Sequence, residues 1–280
     1  MDELAAKQVL LDVEIILLIT LLLGVFLFAF LKRRRGEWNP HAEFDRYDLV
    51  LMLFPALLFL FNPSLEVMVA EKRLEGDDSL PAEPTAAGAF VNNTYFLFVG
   101  VMTYGIIEWV RNRSVVHLFG LKQLRLPVIV ITSILGGIAS MLICAWALGN
   151  ASQTILDRIF DTLSVQESVE ALQNSTSVVQ IGLAVLMACV AAPVVEEFLF
   201  RGYMYGAVKE ATNPVFSAVV IGGLFAVVHG NLPALVPLWA LSLILCLAYE
   251  WTRCLWVPIG IHAVFNGANI LLMLVPPSVE

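Results

Sequence analysis

Charged side chains are scarce in this sequence. Asp, Glu, Lys and Arg make up 14% of its 280 residues, whereas 59% are apolar and the mean hydropathy is +0.82. A soluble domain carries roughly 25% charged residues because its surface faces water. The shortage therefore excludes a soluble enzyme, a disordered chain and a small secreted domain. A net charge of −8 without a basic stripe also excludes a nucleic-acid-binding protein of the usual kind.

Cysteine is also rare. The four cysteines lie in or beside apolar runs, and no two of them have Cys-x-x-Cys spacing: Cys144, Cys189, Cys246 and Cys254. Neither a zinc knuckle nor a disulfide framework is indicated. Small buried apolar side chains are the simplest interpretation.

Long apolar runs are abundant. A helix needs about 20 mostly apolar residues to cross a bilayer, and eight runs qualify: residues 13–31, 49–70, 90–110, 126–149, 178–208, 214–231, 233–250 and 255–275. The sequence therefore predicts an all-α fold, a polytopic integral membrane helical bundle of about eight transmembrane helices. Residues 1–125 would supply about three of these spans, with a polar outer loop over 71–89.

The basic residues predict the orientation of the spans. If eight spans alternate from an outside start, residues 32–48, 111–125, 201–213 and 251–254 lie on the cytoplasmic side. These segments hold 12 of the 16 Lys and Arg residues, in agreement with the excess of basic residues in cytoplasmic loops. We expect a multi-pass protein of a bacterial or archaeal cytoplasmic membrane, with both termini outside.

Polar side chains interrupt the apolar runs of the second half. Ionisable groups inside a bilayer are costly and usually mark a pathway or a reaction site. Those found here are Glu196, Glu197, Arg201, His229 and His262, accompanied by Asn266. Glu196 lies 17 residues before Asn213, and His229 lies 16 residues after it. At about 1.5 Å per helical residue, both are roughly 25 Å from the same turn, so an antiparallel hairpin places them at matching depth.

The spacing within each helix divides these residues by facing direction. Glu197 and Arg201 are four residues apart and can form an ion pair, while Glu196 points about 100° away. A carboxylate opposite an imidazole can take a proton from water. His262 and Asn266 share a face and offer donors for a developing oxyanion. The pattern predicts hydrolysis of an acyl bond by activated water.

Three motifs occur in order on the late spans: Glu-Glu-x-x-x-Arg from Glu196, Phe-x-x-x-His ending at His229, and His-x-x-x-Asn from His262. This series resembles the CPBP intramembrane proteases, a glutamate-dependent group that includes the type II CAAX prenyl endopeptidases and the bacterial ABI proteins. The resemblance covers about residues 178–270. It implies that residues 126–280 form a catalytic membrane domain, an intramembrane endopeptidase that acts on a membrane-associated protein or a lipidated peptide.

The resemblance also implies a division of roles. Glu196 would act as general base on the attacking water, and His229 would position or polarise that water. Glu197 with Arg201 would brace the site. His262 with Asn266 would stabilise the oxyanion.

Three alternatives remain open. Glu196, His229 and His262 could be zinc ligands, but the sequence lacks His-Glu-x-x-His, and we expect no metal cofactor. A transporter could run its polar pathway through the same helices, although no internal repeat is visible. A scaffold that binds a membrane partner without cleaving it would show the same motifs.

Overall fold

The computed structural model describes residues 15, 19, 22–26, 30, 43–55, 57–58, 86–156, 158, 178–229 and 231–274. Every regular element within these residues is a helix, which confirms the predicted all-α fold class. We number the helices α1 (Arg46–Leu51), α2 (Ala86–Gly105, continued by the π-helical turn Ile106–Val110), α3 (Val115–Leu118), α4 (Leu126–Leu156), α5 (without a break from Val178–Leu186 through Tyr205–Ala211), α6 (Pro214–Val227), α7 (Leu235–Thr252) and α8 (Trp256–Leu274).

Four described helices are long and apolar enough to span a bilayer: Leu126–Leu156, Ile181–Ala211, Leu235–Thr252 and Trp256–Met273. Thr94–Val110 in α2 and Pro214–Val227 are shorter apolar helices. These six overlap the predicted spans three to eight, but Leu126–Leu156 and Ile181–Ala211 continue beyond the predicted ends at residues 149 and 208. The predicted spans 13–31 and 49–70 lie largely outside the described residues. The total of eight spans, and the division into residues 1–125 and 126–280, stay predictions.

The turn between α5 and α6 follows from local sequence. Asn213 has extended backbone, its side chain accepts from the backbone N–H of Phe216 at 2.9 Å, and Pro214 fills the first helical turn. Helix α6 then ends at Val227, four residues before the predicted end, because Gly230 and Pro233 disfavour its continuation. Its 14 residues span only about 21 Å of a hydrocarbon layer about 30 Å thick.

Small residues let α4 and α8 pack closely. A Cβ added to Gly137 would meet the Val264 side chain at 2.4 Å, and one added to Gly260 would meet Ser133 Oγ at 2.1 Å. Gly260 and Val264 therefore face α4. At about 100° per residue, His262 lies on the opposite side of α8, towards α5.

Residues 44–48, near α1, anchor the carboxyl-terminal end of α5. The Phe44 ring lies against Gly206, where an added Cβ would meet it at 2.3 Å. The Tyr203 hydroxyl donates to Asp48 Oδ1 at 3.4 Å. Asp48 also belongs to an ion-pair group that we call the loop cluster, made of Asp45, Asp48, Arg111 and Arg113. These contacts fix the helix that carries the two glutamates.

Candidate active site

Helix α5 carries two adjacent carboxylates. Glu196 and Glu197 are both buried, with 8% and 0% of their surface exposed. Consecutive helical residues point about 100° apart, so the two side chains meet different partners. Glu197 Oε1 accepts from Arg201 Nη1 at 2.9 Å, one turn further along α5. Glu196 is outside this ion pair.

His229 lies just beyond the end of α6, and the helix end holds its ring. The last carbonyls of a helix lack intrahelical partners, and His229 Nδ1 bonds to one of them, the Phe225 oxygen, at 2.6 Å. A carbonyl oxygen only accepts, so Nδ1 carries the hydrogen and Nε2 is the acceptor of the neutral ring. The Phe225 and His229 rings also pack with centroids 4.7 Å apart. Both the tautomer and the direction of His229 are thereby set.

His262 on α8 is held in the same tautomer by Glu197. Its Nδ1 lies 2.8 Å from Glu197 Oε1. That carboxylate is ion-paired with Arg201 and acts as the acceptor, so His262 donates from Nδ1 and its Nε2 is the acceptor of the neutral ring. Asn266, one turn further along α8, donates from Nδ2 to the Ala188 carbonyl of α5 at 2.8 Å.

Three helices bring one carboxylate oxygen and two imidazole nitrogens together. Glu196 Oε2 lies 3.9 Å from His229 Nε2 and 3.9 Å from His262 Nε2. This oxygen has no hydrogen-bond partner among the described residues. A separation of 3.9 Å is one that a single bridging water can span. The side chains of His229 and Glu196 are 24% and 11% exposed, whereas that of His262 is 4% exposed.

Arg201 is fixed by three helices. Besides Glu197 on α5, its Nη2 donates to Ser242 Oγ on α7 at 2.7 Å. Its Cζ lies 4.3 Å from the centroid of the Phe225 ring of α6, where the cation meets the negative face of the ring. Arg201 and Ser242 are both fully buried. We call Glu196, Glu197, Arg201, His229 and His262 the site cluster.

The site cluster carries unequal charge. When both imidazoles are neutral, two carboxylates face one guanidinium. The Oε2 atoms of Glu196 and Glu197 have no hydrogen-bond partner in the part of the chain that the structure describes. An uncompensated charge in an apolar interior is costly. The cluster therefore favours a hydrogen-bond donor or a positive charge beside Glu196.

Zinc fits this point poorly. Zinc ligands lie about 2.0–2.2 Å from a tetrahedral ion, which puts two ligand atoms about 3.4 Å apart; the Glu196 Oε2 and histidine Nε2 atoms are 3.9 Å apart. Within the described ranges, no group of three or more His, Cys, Asp or Glu side chains is placed to hold a metal ion. The expectation that the protein needs no metal cofactor stays a prediction.

Sequence analysis does not identify Ser242. Its signal is weak: one hydroxyl in the apolar run 233–250, where a helical serine commonly bonds to its own helix backbone. The partner, Arg201, is 41 residues away, so only the packing of α7 on α5 makes the contact. The sequence predicts that Asn266 donates to an oxyanion. One N–H of its amide already donates to the α5 backbone, so only its second N–H remains for an oxyanion.

Comparison with known proteins identifies relatives of this region. Residues 178–268 match the family model described as type II CAAX prenyl endopeptidase Rce1-like. The chain is 28% identical over 144 residues to YdiL of Bacillus subtilis (strain 168), which is assigned as a membrane peptidase; the match covers 51% of this chain and 58% of that protein. It is 27% identical over 105 residues to the membrane-embedded CAAX protease MroQ of Staphylococcus aureus (strain USA300), covering 35% and 42%. The chain thus spans about half the length of these relatives. No solved structure matches it.

Proposed function

We propose that this chain, whose residues 178–268 match the Rce1-like type II CAAX prenyl endopeptidase family model, is an intramembrane endopeptidase. It would hydrolyse a peptide bond of a membrane-associated protein or of a lipidated peptide. The observation that carries the mechanism is the convergence of Glu196 Oε2 with the Nε2 atoms of His229 and His262. The names of the relatives, a membrane peptidase and a CAAX protease, support the reaction class.

The three convergent atoms suit a water molecule. In the neutral tautomers all three are acceptors, and water supplies two hydrogens to share among them. A water oxygen at about 2.8 Å from Glu196 Oε2 and from one Nε2 bridges their separation. The non-helical residues 228–229 and 231–234, which include His229, support access for this water, because non-helical backbone at membrane depth lies within protein or lines a hydrated cavity.

Glu196 is the general base of the proposed reaction. As the water oxygen attacks the carbonyl carbon of the scissile bond, one water hydrogen passes to Glu196 Oε2, and the carbonyl oxygen becomes an oxyanion. The carbon–nitrogen bond then breaks. The proton held on Glu196 passes to the leaving amine, so the products are a carboxylic acid and an amine, and the carboxylate is regenerated. His229 directs the water through its Nε2.

Oxyanion stabilisation requires a donor, and His262 supplies one only when its Nε2 is protonated. Glu197 bonds to its Nδ1 and would stabilise the imidazolium form, as the aspartate does in a Ser-His-Asp triad. The second amide hydrogen of Asn266 is the other candidate donor. Glu197 would thus hold His262 through both its hydrogen bond and its negative charge, and Arg201 would keep Glu197 in place.

Aromatic side chains support a membrane–water interface at one end of the helices. Trp109, Trp251 and Trp256 lie at the ends of α2, α7 and α8 that the basic residues place inside, and they are 75%, 86% and 41% exposed. Tryptophan concentrates at both membrane–water interfaces, so these side chains support an integral membrane protein, while the proposed orientation rests on the basic residues. Bacterial relatives support a bacterial cytoplasmic membrane.

The test uses the full chain in lipid vesicles with three internally quenched peptides: a farnesylated CAAX peptide, the same peptide without lipid, and a single transmembrane peptide. We expect cleavage of at least one, and a loss of about 10³-fold in Glu196→Gln, which keeps the shape but removes the base. Glu43→Gln, an exposed glutamate outside the site cluster, is the matched control.

Cleavage by Glu196→Gln at the wild-type rate would overturn the proposal. Cleavage of none of the three peptides, combined with Glu196-dependent solute flux across the vesicles, would favour the transporter alternative. The peptide that is cleaved also identifies the substrate class.

A further inference from the structure

Arg201 is the part of the site that depends most on distant residues. Its guanidinium is fully buried, and one end of it, Nη1, bonds to Glu197 at 2.9 Å. The other end, Nη2, bonds to Ser242 at 2.7 Å. The Nε–H has no hydrogen-bond partner among the described residues. The two Nη bonds, with the Phe225 ring beneath, therefore define the plane of the guanidinium.

Ser242 reaches Arg201 because α6 and α7 pack closely at this level. A Cβ added to Gly222 would lie 3.3 Å from Ser242 Oγ and 3.0 Å from the Trp239 ring. The side chain at position 242 is thus confined, and its hydroxyl points at the guanidinium without exposure to solvent or lipid. The short bond to a cation is charge-assisted, which makes it stronger than a bond between neutral groups.

A continuous series of contacts links Ser242 to the reacting point. Ser242 orients Arg201, and Arg201 bonds to Glu197 Oε1. The same oxygen accepts from His262 Nδ1, and His262 Nε2 faces Glu196 Oε2 at 3.9 Å. Since Arg201 and His262 share one carboxylate oxygen, rotation of the guanidinium would alter the strength and direction of the histidine contact.

We propose that Ser242 is a positioning residue for this reaction, acting through Arg201 and Glu197 to hold His262 in its working orientation. The proposal rests on the proposed peptidase function. Ser242 is fully buried, whereas the side chains of His229 and Glu196, between which the proposed reaction places the water, are 24% and 11% exposed. Its loss should therefore slow the chemical step and leave substrate binding intact.

The test compares Ser242→Ala with Ser242→Thr, which keeps the hydroxyl, and with Ser140→Ala. Ser140 is a matched control, since it is also fully buried but its Oγ has no hydrogen-bond partner among the described residues. Each is measured as the full chain in vesicles, with whichever quenched peptide the wild type cleaves. For Ser242→Ala we expect kcat to fall about tenfold, the effect of weakening one charge-assisted hydrogen bond, with KM unchanged and the kcat–pH profile displaced. Ser242→Thr should recover most of the rate.

Wild-type kcat and pH profile in Ser242→Ala would overturn the positioning role. So would equal losses in Ser242→Ala and Ser140→Ala, because these would reflect only the removal of a buried hydroxyl. Glu196→Gln, measured alongside, distinguishes a failure of the Ser242 role from a failure of the proposed active site. If it is inactive while Ser242→Ala is normal, the peptidase function stands and the role of Ser242 is wrong. If both cleave normally, Glu196 is not the base, and the proposed active site is wrong as well as the role of Ser242.

Discussion

The loop cluster, which is partly exposed, and the site cluster, which is largely buried, are two ion-pair groups in one chain, and they are built differently. The loop cluster matches two aspartates with two arginines. Asp48, 1% exposed, accepts from Arg111 Nε at 3.0 Å and from the backbone N–H of Asp45 at 2.8 Å. The site cluster has two glutamates and one arginine, which pairs with Glu197, and each glutamate has an oxygen without a hydrogen-bond partner among the described residues.

This difference separates a structural role from a chemical one. Charge-matched groups stabilise one arrangement, and the one loop-cluster atom found without a hydrogen-bond partner in the described part of the chain, Arg113 Nη1, is a donor that lies 3.7 Å from Asp48 Oδ2. The site cluster keeps acceptor capacity at Glu196, beside the ring nitrogens of His229 and His262. Unmatched buried charge is destabilising in the absence of a compensating function. The unmatched charge of the site cluster lies inside the apolar bundle, and this is the main argument that the site cluster has a chemical role.

The largest effect is expected for Glu197→Gln. Removing one partner of a buried ion pair leaves the other uncompensated and costs about 3–5 kcal/mol of unfolding free energy. Arg201 would be that uncompensated charge, and His262 Nδ1 would face a neutral amide oxygen, a weaker acceptor than the carboxylate. We expect a large drop in the midpoint of thermal unfolding in detergent micelles, and loss of cleavage in any folded fraction.

Two variants sharpen this result. Glu196→Gln should leave the unfolding midpoint unchanged or raise it, because it removes the unmatched charge while it abolishes cleavage. Asp48→Asn should lower the midpoint by weakening the contacts to Arg111 and Tyr203, but the folded protein should cleave at the wild-type rate. Equal behaviour of the three variants would show that the two clusters do not differ in role.

A smaller effect on the free energy of unfolding is expected when the pH is lowered far enough to protonate Asp45 of the loop cluster. Burial alone raises the pKa of Asp45, but the Tyr47 backbone N–H and the Arg111 and Arg113 guanidiniums lower it more, so the folded-state pKa lies below its ordinary value of 3.8. The carboxylate therefore contributes stability above its unfolded-state pKa, and this is lost as the pH falls through the folded-state value.

Unfolding midpoints measured between pH 7 and about pH 3 test this effect, with the range set by the ordinary carboxylate pKa. The unfolding midpoint of Asp45→Asn should fall less between pH 7 and about pH 3 than that of the wild type, because the variant has no carboxylate at position 45 to protonate. An identical pH dependence in the variant and in the wild type would contradict the assignment.

The sequence predicts the residues of the site more fully than the contacts that other helices make with them. The depth of Glu196 and His229 follows from residue counts to one turn, because a helical hairpin fixes the rise per residue. The Glu197–Arg201 pair follows from four-residue spacing. The contacts of Ser242 and Asn266 do not follow, since they depend on how α7 and α8 pack on α5. The end of α6 at Val227 has a local signal in Gly230 and Pro233, which a span prediction from apolar run length does not use.

The smallest effect is expected from chelation. The Glu196 Oε2 and histidine Nε2 atoms are 3.9 Å apart, wider than the spacing of about 3.4 Å on a tetrahedral zinc ion, and the proposed reaction needs only water between them. We expect ortho-phenanthroline to leave cleavage unchanged, and metal analysis of the purified chain to find substoichiometric zinc. The non-chelating meta isomer controls for direct inhibition. Stoichiometric zinc whose removal stops cleavage, and whose return restores it, would mean that Glu196, His229 and His262 close around a metal. The unmatched charge at the site cluster would then serve to bind a cation, and the base would have to be sought elsewhere.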